Sequence, residues 1–142
     1  MSSLSFPDVN VWLALLMADH THRRSAKAWW ESDRSDKIAF ARLTQIGVLR
    51  LLTTSAAMNG KPLGMRQAWH AYDRLFEDDR VAFLPEPDRL ETEFRKRSSF
   101  RTASPKVWAD AYLVAFALHS DATLITFDRA LENRGADCLI LE

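Results

Sequence analysis

The strongest constraint on this chain is an alternation. Short apolar runs that read as strands are separated by longer segments whose apolar residues recur at helical spacing. The runs are Leu4 to Asp8, Lys37 to Ala41, Val81 to Leu84, Ala122 to Phe127 and Leu139 to Leu141. Between them the spacing predicts helices over Val9–Met17, His22–Arg34, Leu43–Thr54, Met65–Asp78, Asp88–Arg97 and Pro105–His119. The last of these has Ser104 as its expected N-cap and Pro105 at the first helical position. Asn59-Gly60-Lys61-Pro62 marks a turn, Pro85-Glu86-Pro87 closes the third strand, and Ser98–Ser104 reads as a polar loop. Strands separated by helices call for an α/β sandwich with a mainly parallel sheet. Ligands of such sheets bind beyond the carboxyl ends of the strands, at the topological switch point.

Composition narrows the function. A chain of 142 residues is long enough to bury one core, and the expectation is a single domain over 1–142. The formal net charge is zero, so contact with nucleic acid has to come from a local patch rather than an overall basic surface. One cysteine, Cys138, excludes an internal disulfide and a cysteine-only metal site, and fits a reducing compartment. The N-terminus lacks the basic region, apolar core and cleavage site of a secretory leader. Its longest apolar run, Val11 to Ala18, is too short to span a bilayer. The reading is a cytoplasmic protein.

Three aspartates stand out. Asp8 and Asp128 each end an apolar strand, and Asp110 shares a helix face with Leu113, Val114 and Ala117. Asp8 and Asp128 each have a plain alternative role as the cap of the helix or turn that follows. Asp110 is harder to explain that way, because a carboxylate on an apolar stripe is costly to bury without a partner or a metal. Brought together at one end of the sheet, three acceptor-only groups repel one another. A hard divalent cation with oxygen ligands, Mg²⁺ or Mn²⁺, is the simplest remedy. Such an ion serves phosphodiester hydrolysis, although spacing alone does not separate a nuclease from a phosphatase.

In order, "DVN", "LTQIGVLRLLT", "SPKVWADAYLVAFA" and "LITFD" resemble the PIN-domain ribonucleases, and among them the VapC-type toxins of bacterial toxin–antitoxin pairs. The resemblance runs from Phe6 to Leu141. It implies a three-layer α/β/α sandwich and a Mg²⁺-dependent endoribonuclease that forms a homodimer and is silenced by a cognate VapB-type antitoxin. It also implies metal-binding roles for Asp8, Asp110 and Asp128, a supporting role for Asn10 beside the first acid, and an orienting role for the Thr126 hydroxyl. Gln45 falls where most of the family has a glutamate. A neutral amide there can hold a metal-bound water or donate to a phosphate, and the expectation is one well-occupied ion with Gln45 in its outer shell.

Two positive stretches are candidates for RNA backbone. Arg23, Arg24 and Lys27 open one helix. Arg95, Lys96, Arg97, Arg101 and Lys106 flank the polar loop that leads to Asp110, and the second stretch, chiefly Arg97, Arg101 and Lys106, is the better candidate. The five tryptophans read as core or interface, with Trp12 in the core. His20 and His22 read as solvent-facing, and His70 and His119 have no evident partner. A haloacid-dehalogenase-type phosphatase built on Asp8 is disfavoured because Asn10 stands where its second acid belongs. The rival from another class is a catalytically impaired PIN-like RNA-binding or regulatory module, which Gln45 alone supports.

Overall fold

The computed structural model describes residues 3–142. Five strands, β1 (Leu4–Pro7), β2 (Lys37–Phe40), β3 (Val81–Phe83), β4 (Thr123–Thr126) and β5 (Cys138–Ile140), form one sheet in the order β3-β2-β1-β4-β5. All four pairings are parallel. Six helices connect them: α1 (Val9–Leu16), α2 (Arg23–Ser32), α3 (Arg42–Leu52), α4 (Met65–Leu75), α5 (Leu90–Ser98) and α6 (Val107–His119). A 3₁₀ turn over Arg129–Leu131 follows β4.

The strand pleat decides the layers. Ile38 and Phe40 of β2 and Ile125 of β4 face one way, into a core shared with Val11 and Trp12 of α1, Trp29 of α2, Val48 and Leu52 of α3 and Tyr72 of α4. Ala39, Phe6 and Leu124 face the other way, against Leu113, Val114, Phe116 and Ala117 of α6 and Leu90 of α5. Period-two alternation of apolar residues thus builds two cores on one sheet, with helices on both faces. This is the expected three-layer α/β/α sandwich. Helix α6 is apolar nearly all round, as a helix buried against both sheet and neighbour must be.

The chain climbs from β1 to β3 on one side, then crosses back to place β4 on the other side of β1. The switch point therefore lies between β1 and β4. Pairing of β1 with β4 extends through Pro7, opposite Ile125, while its register with β2 is recorded only at Leu4 and Ser5. Pro7 has no N–H to offer a neighbour.

Two local details differ from the sequence reading. Helix α6 starts at Val107, not Pro105, and Lys106 occupies the N-cap position without a side-chain cap. Ser104 contributes its carbonyl, which accepts from the Val107 N–H at 3.0 Å, while its hydroxyl reaches toward Thr102 O at 3.4 Å. Only part of the tryptophan expectation holds: Trp12 and Trp29 are buried, whereas Trp69 and Trp108 are exposed. Among the described residues no helix is long and apolar enough to cross a membrane.

Candidate active site

Asp8 directly follows β1, and its backbone N–H still donates to Ile125 O at 2.8 Å, extending the β1–β4 ladder by one step. It also takes the cap role: its Oδ1 accepts from the Val9 N–H at 2.6 Å at the start of α1. Its other oxygen, Oδ2, accepts from the Thr126 hydroxyl at 3.0 Å. Thr126, fully buried at the end of β4, accepts in turn from the Asp128 N–H at 3.0 Å. Asp128 caps the 3₁₀ turn, its Oδ1 accepting from the Ala130 N–H at 2.9 Å. One hydroxyl thus bridges the two acids across the switch point. The orienting role expected of Thr126 has a concrete geometry here.

Asp110 arrives from the opposite layer, in the first turn of α6. Its carboxyl is raised above the usual carboxylate range, first by burial and then by the negative charge of Asp128, with Arg134 pulling the other way. Asp8 is raised as well. Burial is again the largest cause, the Val9 and Thr126 hydrogen bonds oppose it, and the charges of Asp110 and Asp128 add to it. The three acids therefore share one electrostatic neighbourhood, in which Arg134 offsets part of the charge at Asp110.

Their chemistry fits a hard divalent cation: all three offer carboxylate oxygen, and the charges of Asp110 and Asp128 raise the cost of ionising Asp8. Among the described residues, however, no group of three His, Cys, Asp or Glu side chains is gathered closely enough to clasp an ion as it stands. Asp8 and Asp128 are turned toward their caps. Each carboxylate oxygen accepts more than one bond, so these contacts leave acceptor capacity free.

The remaining expected residues are distributed unevenly. Asn10 is exposed on α1 and makes no hydrogen bond to Asp8 among the described residues; Thr126 and Val9 support that acid instead. Gln45 is buried in the first turns of α3, as its spacing predicts. Its hydrogen bonds run elsewhere, however. Its Oε1 accepts from Arg42 at 2.7 Å, and its side chain acts on the Tyr72 hydroxyl of α4, opposing the rise that burial gives that group. Arg42 in turn lies 4.5 Å over the Phe83 ring. The amide thus satisfies a polar seam between α3 and α4. Helix α3 still approaches the site closely: a Cβ on Gly47 would meet Val9 Cγ2 at 2.6 Å.

Of the basic candidates, Arg101 and Lys106 are exposed and form no ion pair among the described residues. Arg97 is different. It pairs with Glu93 one helical turn earlier at 2.7 Å and donates to the Arg134 carbonyl, tying α5 to the loop before β5. His119 also has a partner, Glu93, at 3.1 Å. His22 is exposed, and its ring stacks on Phe127 with centroids 4.4 Å apart. Arg134 and Arg42 escaped the sequence reading. Arg134 sits in a Gly-containing turn with no periodic context, and Arg42 falls between the strand and the helix that the spacing predicts.

The PIN-domain family model matches residues 5–136. The chain belongs to the PIN-domain family. It is 41% identical over 133 residues to "Ribonuclease VapC41" of Mycobacterium tuberculosis, covering 90% of this chain and 91% of the relative. That places this PIN domain with the VapC-type proteins. Two solved structures share the fold. One is the Mycobacterium tuberculosis VapC20, described as a Sarcin-Ricin loop cleaving toxin, with a TM-score of 0.66, 20% identity and coverage of 94% and 95% of the two chains. The other is VapBC2 from Rickettsia felis bound to a DNA fragment from its promoter, with a TM-score of 0.62, 9% identity and coverage of 98% and 99%.

Proposed function

We propose that this chain is a divalent-metal-dependent endoribonuclease acting as the toxin of a type II toxin–antitoxin pair. The observation that carries the proposal is the gathering of Asp8, Asp110 and Asp128 about the β1–β4 switch point, in a chain closely related to a named ribonuclease. Asp8, Asp110 and Asp128 would hold Mg²⁺, or Mn²⁺ in its place. A divalent ion bound there supplies charge to a phosphodiester and lowers the pKa of water near it. Thr126 fixes the Asp8 carboxylate and favours its ionised form against burial. Burial and like charge push Asp8 and Asp110 toward their protonated forms, so both compete with protons for the ion, and activity falls toward acid pH. Gln45 supports the site from the α3 side by holding Arg42. Arg101 and Lys106 attract the RNA backbone, and Arg97 acts by holding the loop that carries Arg134. Asn10, exposed at the start of α1, faces solvent where substrate enters.

The proposed partners are RNA, a VapB-type antitoxin and a second copy of the chain, in the cytoplasm. The antitoxin follows from the VapC-type relationship and from a fold neighbour solved as a VapBC assembly. A second reading, an RNA-binding module with impaired catalysis, is favoured by one observation: Gln45 is neutral and bonded to Arg42.

The deciding experiment is cleavage of total cellular RNA by the purified chain with Mg²⁺, with Mn²⁺ and with chelator, beside Asp110→Asn. Metal-dependent cutting that the variant lacks supports the nuclease. RNA binding by antitoxin-free protein without cutting in either metal supports the binding module.

A further inference from the structure

The α5–α6 edge carries a feature that the carboxylate site does not use. A groove of about 340 Å³ runs beside Asp110, bordered by Lys96, Arg97, Phe100 and Arg134. Phe100 also walls two neighbouring grooves, both of which contain Trp108. The two rings are the aromatic part of an otherwise polar surface. Phe100 is 55% exposed and Trp108 58%. Trp108 meets Phe94 edge-on at 6.1 Å, which leaves a face of the indole open to solvent.

Apart from Asp110, the unpaired charges beside these rings are positive. Lys96, Arg101, Lys106 and Arg134 form no ion pair among the described residues, in contrast to Arg95 and Arg97, which are matched by Glu91 and Glu93. The Arg134 position is built. Arg97 donates to its carbonyl, and the next residue, Gly135, has φ 105°, a conformation that residues with a side chain rarely adopt. The loop is thus anchored so that the Arg134 guanidinium is near enough to Asp110 to act on its charge.

We propose that this edge receives an unpaired stretch of RNA, with Phe100 as a stacking platform for a base next to the cut and Arg134 and Lys96 on the flanking phosphates. The inference rests on the nuclease reading above and adds substrate-positioning residues to it. A strand whose phosphate lies at Asp110 has the next phosphates beside Arg134 and Lys96, and Phe100 stands on the groove wall between them and Trp108. A base inside a duplex has both faces covered by its neighbours. Only an unpaired base can turn a face to an exposed ring. Aromatic stacking with cationic backbone contacts is tolerant of sequence and sensitive to salt.

The test uses the full chain in an Asp8→Asn background with Mg²⁺, so that RNA persists and the groove is untouched. The probes are a short fluorescent single-stranded oligoribonucleotide and the same strand fully paired. Phe100→Ala is expected to weaken single-strand binding about 5- to 150-fold, the range that base stacking gives on truncation to alanine. Phe100→Trp restores it, and duplex binding does not change. Arg134→Ala lowers the slope of log affinity against log salt by about 0.7, one phosphate contact to a single strand. Circular dichroism and gel filtration accompany each variant. Unchanged single-strand affinity in Phe100→Ala, or an equal loss on duplex, overturns the proposal while cleavage by the unmodified chain keeps the nuclease reading standing. Loss of dimer or antitoxin binding in Phe100→Ala with RNA binding intact also overturns it and makes the edge a protein interface. Absence of both RNA binding and cleavage removes both readings.

Discussion

Thr126→Val is the sharpest probe of the site, because it keeps the shape and removes one hydroxyl. That hydroxyl makes two bonds in a fully buried position: it donates to the Asp8 carboxylate at 3.0 Å and accepts from the Asp128 N–H at 3.0 Å. A hydrogen bond to a charged group contributes about 1.5–3 kcal/mol, and a neutral one about 1 kcal/mol. The added methyl recovers up to about 0.8 kcal/mol by burial. The expected net loss is roughly 2–3 kcal/mol, which for a chain of this size lowers Tm by about 6–12 °C. Thr126→Ser is the control. It keeps both bonds and gives up one methyl group, so it should melt clearly above Thr126→Val. A carboxyl-carbon NMR titration supplies the second readout. The Thr126 bond lowers the Asp8 pKa, so Asp8 should titrate at higher pH in Thr126→Val than in Thr126→Ser. Equal melting of the two variants, together with equal Asp8 titration, refutes the bridge.

Other outcomes follow from the same geometry. Asp8 and Asp110 have folded pKa values raised above the 3.8 of the free group, so the folded state binds protons that the unfolded chain has released; their contribution to stability is present below that value and lost as pH rises through the folded pKa. Asp110→Asn should therefore gain on the wild type in Tm from pH 4 to pH 7, as scanning calorimetry without metal would read. Added Mg²⁺ should raise the wild-type Tm and leave Asp110→Asn nearly unmoved, since an ion stabilises only the state that binds it. Gly135→Ala combines positive φ with a contact to Arg97 and should cost about 1–3 kcal/mol in urea unfolding. Gly47→Ala forces its new methyl against Val9 and should cost about 1–3 kcal/mol; Val9→Ala in the same chain should return most of it.

The layers of this fold were legible because their signal is local. Ile38, Ala39 and Phe40 alternate between two cores, and that alternation is written in three adjacent letters. The acids that end strands were legible for the same reason: Asp8 and Asp128 stand where an apolar run stops. What escaped depends on which neighbour a side chain chooses. Gln45 was correctly assigned to a buried face, but its hydrogen-bond partner is Arg42, three residues back. Arg97 looked like one of several cations, yet Glu93 lies four residues earlier, the spacing at which helical charges meet. The start of α6 moved two residues because the Ser104 carbonyl, not its hydroxyl, receives the first amide.

The uneven pairing of β1 has a mechanical consequence. At its carboxyl end this strand is laced to β4 as far as Asp8, through Pro7 opposite Ile125 and the Asp8 amide, while its register with β2 is recorded only at the opposite end. Asp8 and Asp128 consequently ride on one stiff plank. The separation of the two strand-borne acids is thereby fixed by the backbone. In hydrogen exchange, the Asp8 amide should be protected to the level of the sheet core.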